Sequence, residues 1–317
     1  MKKISKACFS PRRKIKIGLP KGLLWYKYHR FWEVFFKELG AEVVKSSDTN
    51  KKIVEEGTKK SVDELCIPVK IFFGSCLDLI DKCDWIFIPR YWIIDRKSIT
   101  CPKLITLPDT AIMIIRKKIL TTTINIKRKP IFLSFFFLGL KLKKNPLKVI
   151  QAYRAAIRAQ EMNETYLEKE FQKKLASPLL TVAVVGHEYN IYDNYINQEL
   201  ISEIEKQNVN IITSDLVPQS LSDTYLKEKP FIYWSYEREI IGTAYWALSA
   251  KKISGLILIS SFNCGPDSLL HEQLLLEDSK KPILSILVDE NISKETVKTR
   301  IEAFLEMLKR KGQIINT

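Results

Sequence analysis

Apolar runs of strand length alternate with segments of helix length along this chain of 317 residues, and they do so in two successive series. The first opens at 14–19 (KIKIGL), continues through the apolar-periodic stretch 23–39 that stops at Gly40, and returns to a strand at 41–45 (AEVVK). A second helix is expected at 49–65, a third strand at 85–89 (WIFIP) and a fourth at 103–107. The second series places strands at 180–185 (LTVAVV), 209–213, 255–260 and 282–288 (PILSILV), with helices at 193–207, 235–249 and 294–310. Strands that alternate with helices form right-handed crossovers and parallel sheets, and such sheets bind ligands at the carboxyl ends of their strands.

A helical stretch at 146–173 joins the two series. Length alone allows about two domains. The chain therefore divides into a basic tail (1–13), a first α/β domain (14–145), a helical connector (146–179) and a second α/β domain (180–317). Hydrophobic residues at 46% and charged residues at 27% exclude a disordered chain. The lysines of the tail are not followed by the apolar stretch of a signal peptide. The apolar block 131–140 (IFLSFFFLGL) is about half the length of a membrane helix. A cytoplasmic location is expected, with reduced cysteines and no membrane span.

The net charge of +15 is unevenly placed: 110–160 holds twelve Lys and Arg and no Asp or Glu, which leaves +3 for the rest. Phe132, Phe135, Phe136 and Phe137 lie inside this span. They suit the anchors of a docking face for a protein partner, or the interior of a core helix. Nucleic acid is the weaker reading, because no recognised binding motif accompanies the charge.

The thiols carry the sharper signal. Cys264 follows the buried-strand block Leu256-Ile257-Leu258-Ile259 and precedes the turn formers Gly265-Pro266-Asp267. Cys66, Cys101 and Cys264 are each followed by proline directly or within two residues, as C-I-P, C-P and C-G-P. Proline stiffens a ligand loop and removes a competing N–H, and it recurs beside iron–sulfur cysteines. The paired C-x2-C knuckles of a zinc ribbon are absent. Spacing alone leaves iron–sulfur ligands and unrelated thiols both open. Cys76 follows Cys66 as C-x9-C; on an unbroken helix it would lie about 15 Å along the axis, unless Gly74-Ser75 breaks the helix. Cys83 reads as a small buried hydrophobe and Cys8 as part of the tail.

Other chemistry is faint. His29, His187 and His271 stand at no recognisable spacing from a serine or cysteine. His187, at a strand end, suits either a cleft or a hydrogen-bonded structural role. Neither G-x-x-x-x-G-K-[ST] nor G-x-G-x-x-G occurs. The lysine of "GLPKGLLWYKYHR" suits a phosphate contact or a plain turn.

Seven stretches in order, "IGLPKGLLWYKYHRFWEVFFKELGAEVV", "VDELCIPVK", "TCPKLITLPD", "NPLKVIQAYRAAIRAQ", "VVGHEYNIYDNYIN", "REIIGTAYWAL" and "SSFNCGPDS", span about 15–308. On them the chain resembles the acyl-CoA dehydratase activase-related proteins, relatives of the 2-hydroxyacyl-CoA dehydratase D-component and of double-cubane cluster proteins. That resemblance implies flavodoxin-like (Rossmann-like) domains with an iron–sulfur cluster (4Fe-4S, or double-cubane) in the cleft between them. It carries the ligand role to Cys66, Cys101 and Cys264; Cys76 departs from the family, which has no cysteine expected at that place, and is either a fourth ligand or chance. His187, Asn263, Lys70 and Lys103 are expected to line the same cleft. The resemblance also implies an ATP-dependent activator protein as electron donor and a homo- or hetero-oligomer. It implies a CoA thioester or other small molecule as substrate, with the chain either catalysing its reductive or radical chemistry or passing the electron on. One departure stands out: Asp289-Glu290 runs into Asn291-Ile292-Ser293-Lys294, where the family has a His-Thr-Gly-Glu-like turn.

Overall fold

The computed structural model describes residues 13–227, 229, 232–276 and 281–315; Cys8 and residues 1–12 of the basic tail lie outside them. β1 (Lys16–Leu19) leads through α1 (Trp25–Glu38) to β2 (Glu42–Lys45). Gly40, at φ +79°, supplies the left-handed turn that ends α1. α2 (Lys51–Lys60), capped by the Asn50 side chain accepting from the Ile53 amide at 3.2 Å, and α3 (Ile67–Asp78) precede β3 (Trp85–Phe87). Then come β4 (Arg90–Ile93), α4 (Pro102–Ile115), β5 (Ile119–Leu120), β6 (Thr123–Asn125), α5 (Ile131–Lys141) and the long α6 (Pro146–Leu175). The first sheet runs β2-β1-β3-β5. β4 pairs with β6 beyond Pro89, which has no N–H to give the ladder.

The second series begins with β7 (Thr181–Val185), α7 (Glu188–Tyr192), α8 (Leu200–Glu205) and β8 (Asn210–Thr213). A short 3₁₀ turn and α9 (Gln219–Tyr225) lead to α10 (Ser235–Ser249), β9 (Gly255–Ser261), α11 (Gly265–Leu275), β10 (Ile283–Val288) and α12 (Lys294–Ile315). Its sheet runs β10-β9-β7-β8. Every strand pair in the structure is parallel, so the chain is an α/β protein with two all-parallel four-stranded sheets. Both central strands of the second sheet, β7 and β9, are buried throughout, as continuous apolar runs in covered parallel sheets must be.

α3 is buried from 67 to 76 and apolar on every side. Val69, Phe72, Phe73 and Cys76 face the first core, whereas Ile67 and Ile71 join the core of the second sheet. α2 reaches α3 through two glycines. A Cβ on Gly57 would meet the Lys70 carbonyl oxygen at 2.0 Å, and one on Gly74 would meet the Ile53 oxygen at 1.9 Å.

Three expectations change, and one alternative, a break of α3 at Gly74, is set aside. Residues 103–107 are helical, inside α4, because Pro102 opens a helix at its first turn and the fourth strand is β5. The stretch 193–207 is not one helix. The Asp193 carboxylate caps the Tyr195 and Ile196 amides at 3.0 and 3.2 Å, and Gln198 and Glu199 take left-handed φ of 53° and 63°. Gly74 does not break α3; it permits the crossing with α2. Phe135 is not a surface anchor, since it is 2% exposed and stacked among Phe31, Phe35 and Tyr153, while Phe137 on the opposite side of α5 is exposed. Among the described residues, no helix is long and apolar enough to cross a membrane.

The crossing yields a stability prediction. Gly74→Ala puts its methyl into backbone, not into a flexible side chain, and should cost about 1–3 kcal/mol or more in urea unfolding. Ala at the exposed Lys60, at the end of α2, should cost less than about 0.5 kcal/mol.

Candidate functional site

Three helices begin at the three proline-flanked cysteines. Cys66 is the residue before α3, Cys101 before α4 and Cys264 before α11, and each helix carries proline in its first turn. Proline suits that place because its missing N–H would be unpaired there in any case. Each thiol thus stands at the positive end of a helix. None makes a side-chain cap bond, yet the first-turn amides of Val69, Lys103 and Asp267 favour the ionised form of Cys66, Cys101 and Cys264 respectively.

The chain brings these three together. Cys66 and Cys264 share one core cluster, with Cys101 packed against it, and Cys66 acts electrostatically on both of the others. One ammonium joins the loops. Lys103, on the helix that Cys101 starts, donates to the Asn263 carbonyl at 2.8 Å and to the Glu64 carbonyl at 3.4 Å. Asn263 holds a left-handed φ of 63°, and its side-chain amide donates to the Asp63 carbonyl at 3.3 Å. Lys103 and Asn263 therefore both lie at the thiol group. Burial pushes all three thiols up, Cys101 to about 11, and Lys103 pulls Cys66 and Cys101 back towards ionisation. A buried thiol in this state is a poor nucleophile.

Lys70 and Cys76 have other partners. Lys70 is 5% exposed and donates to Glu290 at 2.8 Å, tying α3 to the segment after β10. Cys76 is fully buried near the other end of unbroken α3, and the thiol that acts on it is Cys83, not Cys66. Cys83 donates to the Leu79 carbonyl at 3.2 Å. The lysine of the first strand–helix turn, Lys21, is paired with Asp48 and lies over Trp25, which favours the plain-turn reading. A cavity of about 940 Å³ lined by Tyr28, Tyr91, Phe135, Tyr153, Arg96 and Arg238 among others is not lined by the three cysteines.

His187 stands beside the thiols with two partners that the sequence did not single out. Its Nε2 lies 3.2 Å from the Asp267 carboxylate and 3.7 Å from that of Glu237. Both carboxylates act on Cys264, and Glu237 acts on Cys101. His187 stacks on Tyr189 with centroids 4.7 Å apart. Burial lowers the His187 pKa, but Asp267 and Glu237 outweigh it and hold the ring well above the ordinary imidazole value. Glu237 and Asp267 each occupy the third position of a helix; that place is common for acids, so nothing local marked them.

A pH prediction follows from the thiols. Their folded pKa values lie above the unfolded value of about 8.5, so their protonation supports the fold fully below that pH. The support is lost as pH rises through the folded value, about 11 for Cys101. Urea midpoints of metal-free protein should fall between about pH 8.5 and 11, and Cys101→Ser should reduce that fall.

Comparison with known proteins adds the following. Among curated proteins, none matches the chain. A crystal structure of ZnuA is similar at 9% identity, with 94% of this chain and 99% of that chain covered; its TM-score of 0.26 is too low to support any conclusion about fold or function. Residues 16–217 match the family described as the CoA enzyme activase uncharacterised domain (DUF2229), which by its description is associated with CoA enzyme activases. That match takes in β1 to the turn after β8, and with it Cys66, Cys101 and His187; the chain belongs to this CoA enzyme activase domain family.

Proposed function

We propose that the chain holds an iron–sulfur cluster through Cys66, Cys101 and Cys264 and accepts low-potential electrons from an ATP-dependent activator protein. The observation that carries this reading is the convergence of three helix-starting cysteines whose loops Lys103 ties together. The donor set fits such a group. Thiolates are its ligands, and burial opposes thiolates here unless a metal's charge compensates them. Three helix N-termini and Lys103 add positive potential, which favours an anionic cluster. When bound, the cluster would supply one-electron chemistry at low potential. The residues around it exclude water, orient the sulfurs and hold positive charge beside them.

The electron then serves reductive or radical chemistry on a CoA thioester or another small molecule, or passes to a further partner. Family membership supports an activase as the electron donor.

Anaerobic reconstitution with iron and sulfide tests the reading. Wild type should gain the visible sulfide-to-iron absorption. Cys66→Ser, Cys101→Ser and Cys264→Ser should each lose most of the iron, while Cys76→Ser should keep it. Full iron in all three single variants would sink the proposal, and loss in Cys76→Ser would restore that thiol as a ligand.

A further inference from the structure

The buried group beside the thiols has chemistry of its own. His187, Glu237 and Asp267 are 5%, 2% and 3% exposed. Each offers a ligand atom within 4.8 Å of the others'. His187 Nε2, Glu237 Oε2 and Asp267 Oδ2 are all enclosed and lack a hydrogen-bond partner. Buried polar atoms are ordinarily paired, and one orphaned atom on each of three neighbouring buried residues is a costly arrangement. The close His187–Asp267 approach at 3.2 Å does not have hydrogen-bond geometry at Nε2.

We propose that His187, Glu237 and Asp267 form a buried site for one first-row divalent cation, separate from the three thiols. Charge favours it: once a cation displaces the imidazole proton, His187 and the two carboxylates carry −2, which a divalent ion offsets. Spacing favours it as well. Two ligands about 2.1 Å from one ion at the tetrahedral angle lie about 3.4 Å apart, between the observed 3.2 and 3.7 Å. One nitrogen and two oxygens suit Mn(II), Fe(II) or Zn(II), and the soft Cu(I) ion is disfavoured. The ligands are also held from three elements. His187 follows β7 at the start of α7, Glu237 lies in the first turn of α10, and Asp267 lies in the first turn of α11. Those helix ends favour ionised carboxylates. Nearby, Lys27 is committed to Glu188 and Glu239 rather than to Glu237 or Asp267.

The proposal does not depend on an iron–sulfur cluster, and its test keeps the two apart. MnCl₂ is titrated into chelator-treated full-length protein, with free aqueous Mn(II) followed by electron paramagnetic resonance. Wild type should bind about one equivalent. Glu237→Gln and Asp267→Asn should each weaken binding at least about tenfold, while Cys66→Ser and Cys101→Ser should leave it unchanged. If the carboxylate variants fail to fold, the wild-type complex decides alone: bound Mn(II) should show nitrogen modulation from a single imidazole. No bound Mn(II), no such nitrogen, or equal loss in the cysteine variants would overturn the assignment.

Discussion

The backbone contact between α2 and α3 sets where everything else can sit. Only glycine at 57 and 74 lets the two helices touch at the Lys70 and Ile53 carbonyls. That contact seats α3 between two cores, with Ile67 and Ile71 in one and Val69, Phe72 and Phe73 in the other. The beginning of α3 is also the place of Cys66, and the same core takes in Tyr236 and Cys264 from the second series. A helix shared in this way couples the two sheets by packing density, because close-packed interiors transmit small displacements rather than absorb them. The ion pair from Lys70 to Glu290 fastens the same helix to the far sheet, at the turn that follows β10.

Around that helix, burial and charge oppose each other. Three thiols are pushed towards their neutral form by desolvation, while helix ends and Lys103 pull towards thiolate. Next to them an imidazole and two carboxylates sit in equally dry surroundings. Residues near these ligands in sequence turn to a different partner: Glu188 and Glu239 meet Lys27, whose ammonium lies 5.3 Å from the Tyr236 ring centroid, and Tyr28 and Tyr236 share a contact at 3.2 Å. One layer is thus paired through a lysine, and the layer inside it holds only the imidazole against two carboxylates. Buried titratable groups with perturbed pKa values concentrate at functional positions.

The sheets were largely legible because parallel strands covered on both faces read as continuous apolar runs. The segment 103–107 shows the limit: "KLITL" is short and apolar, and only the proline at 102 distinguished a helix start from a strand. The region after β7 misled for another reason, since Asp193 and two left-handed residues interrupt a pattern whose apolar spacing suits a helix. At the site, proline neighbours pointed to the three cysteines, but no local pattern tells that Lys103 reaches the carbonyls at 64 and 263. Glu237 and Asp267 were invisible because acids in a first helical turn are ordinary, and their meeting with His187 depends on how β7, α10 and α11 converge. Lys70 was expected beside the thiols, and its burial against Glu290 is a long-range pairing that sequence distance hides.

The tie made by Lys103 has a consequence for synthesis. Cys66 and Cys101 leave the ribosome close together, whereas Cys264 and the Asn263 carbonyl follow roughly ten to thirty seconds later at ordinary elongation rates. During that interval Lys103 lacks its shorter hydrogen bond, and β9, which delivers the third thiol, does not yet exist. The nascent first half therefore presents two thiols without the enclosure of the finished fold. Under the proposed cluster role, an ion caught at that stage has an incomplete set of donors, so loading belongs to the completed chain.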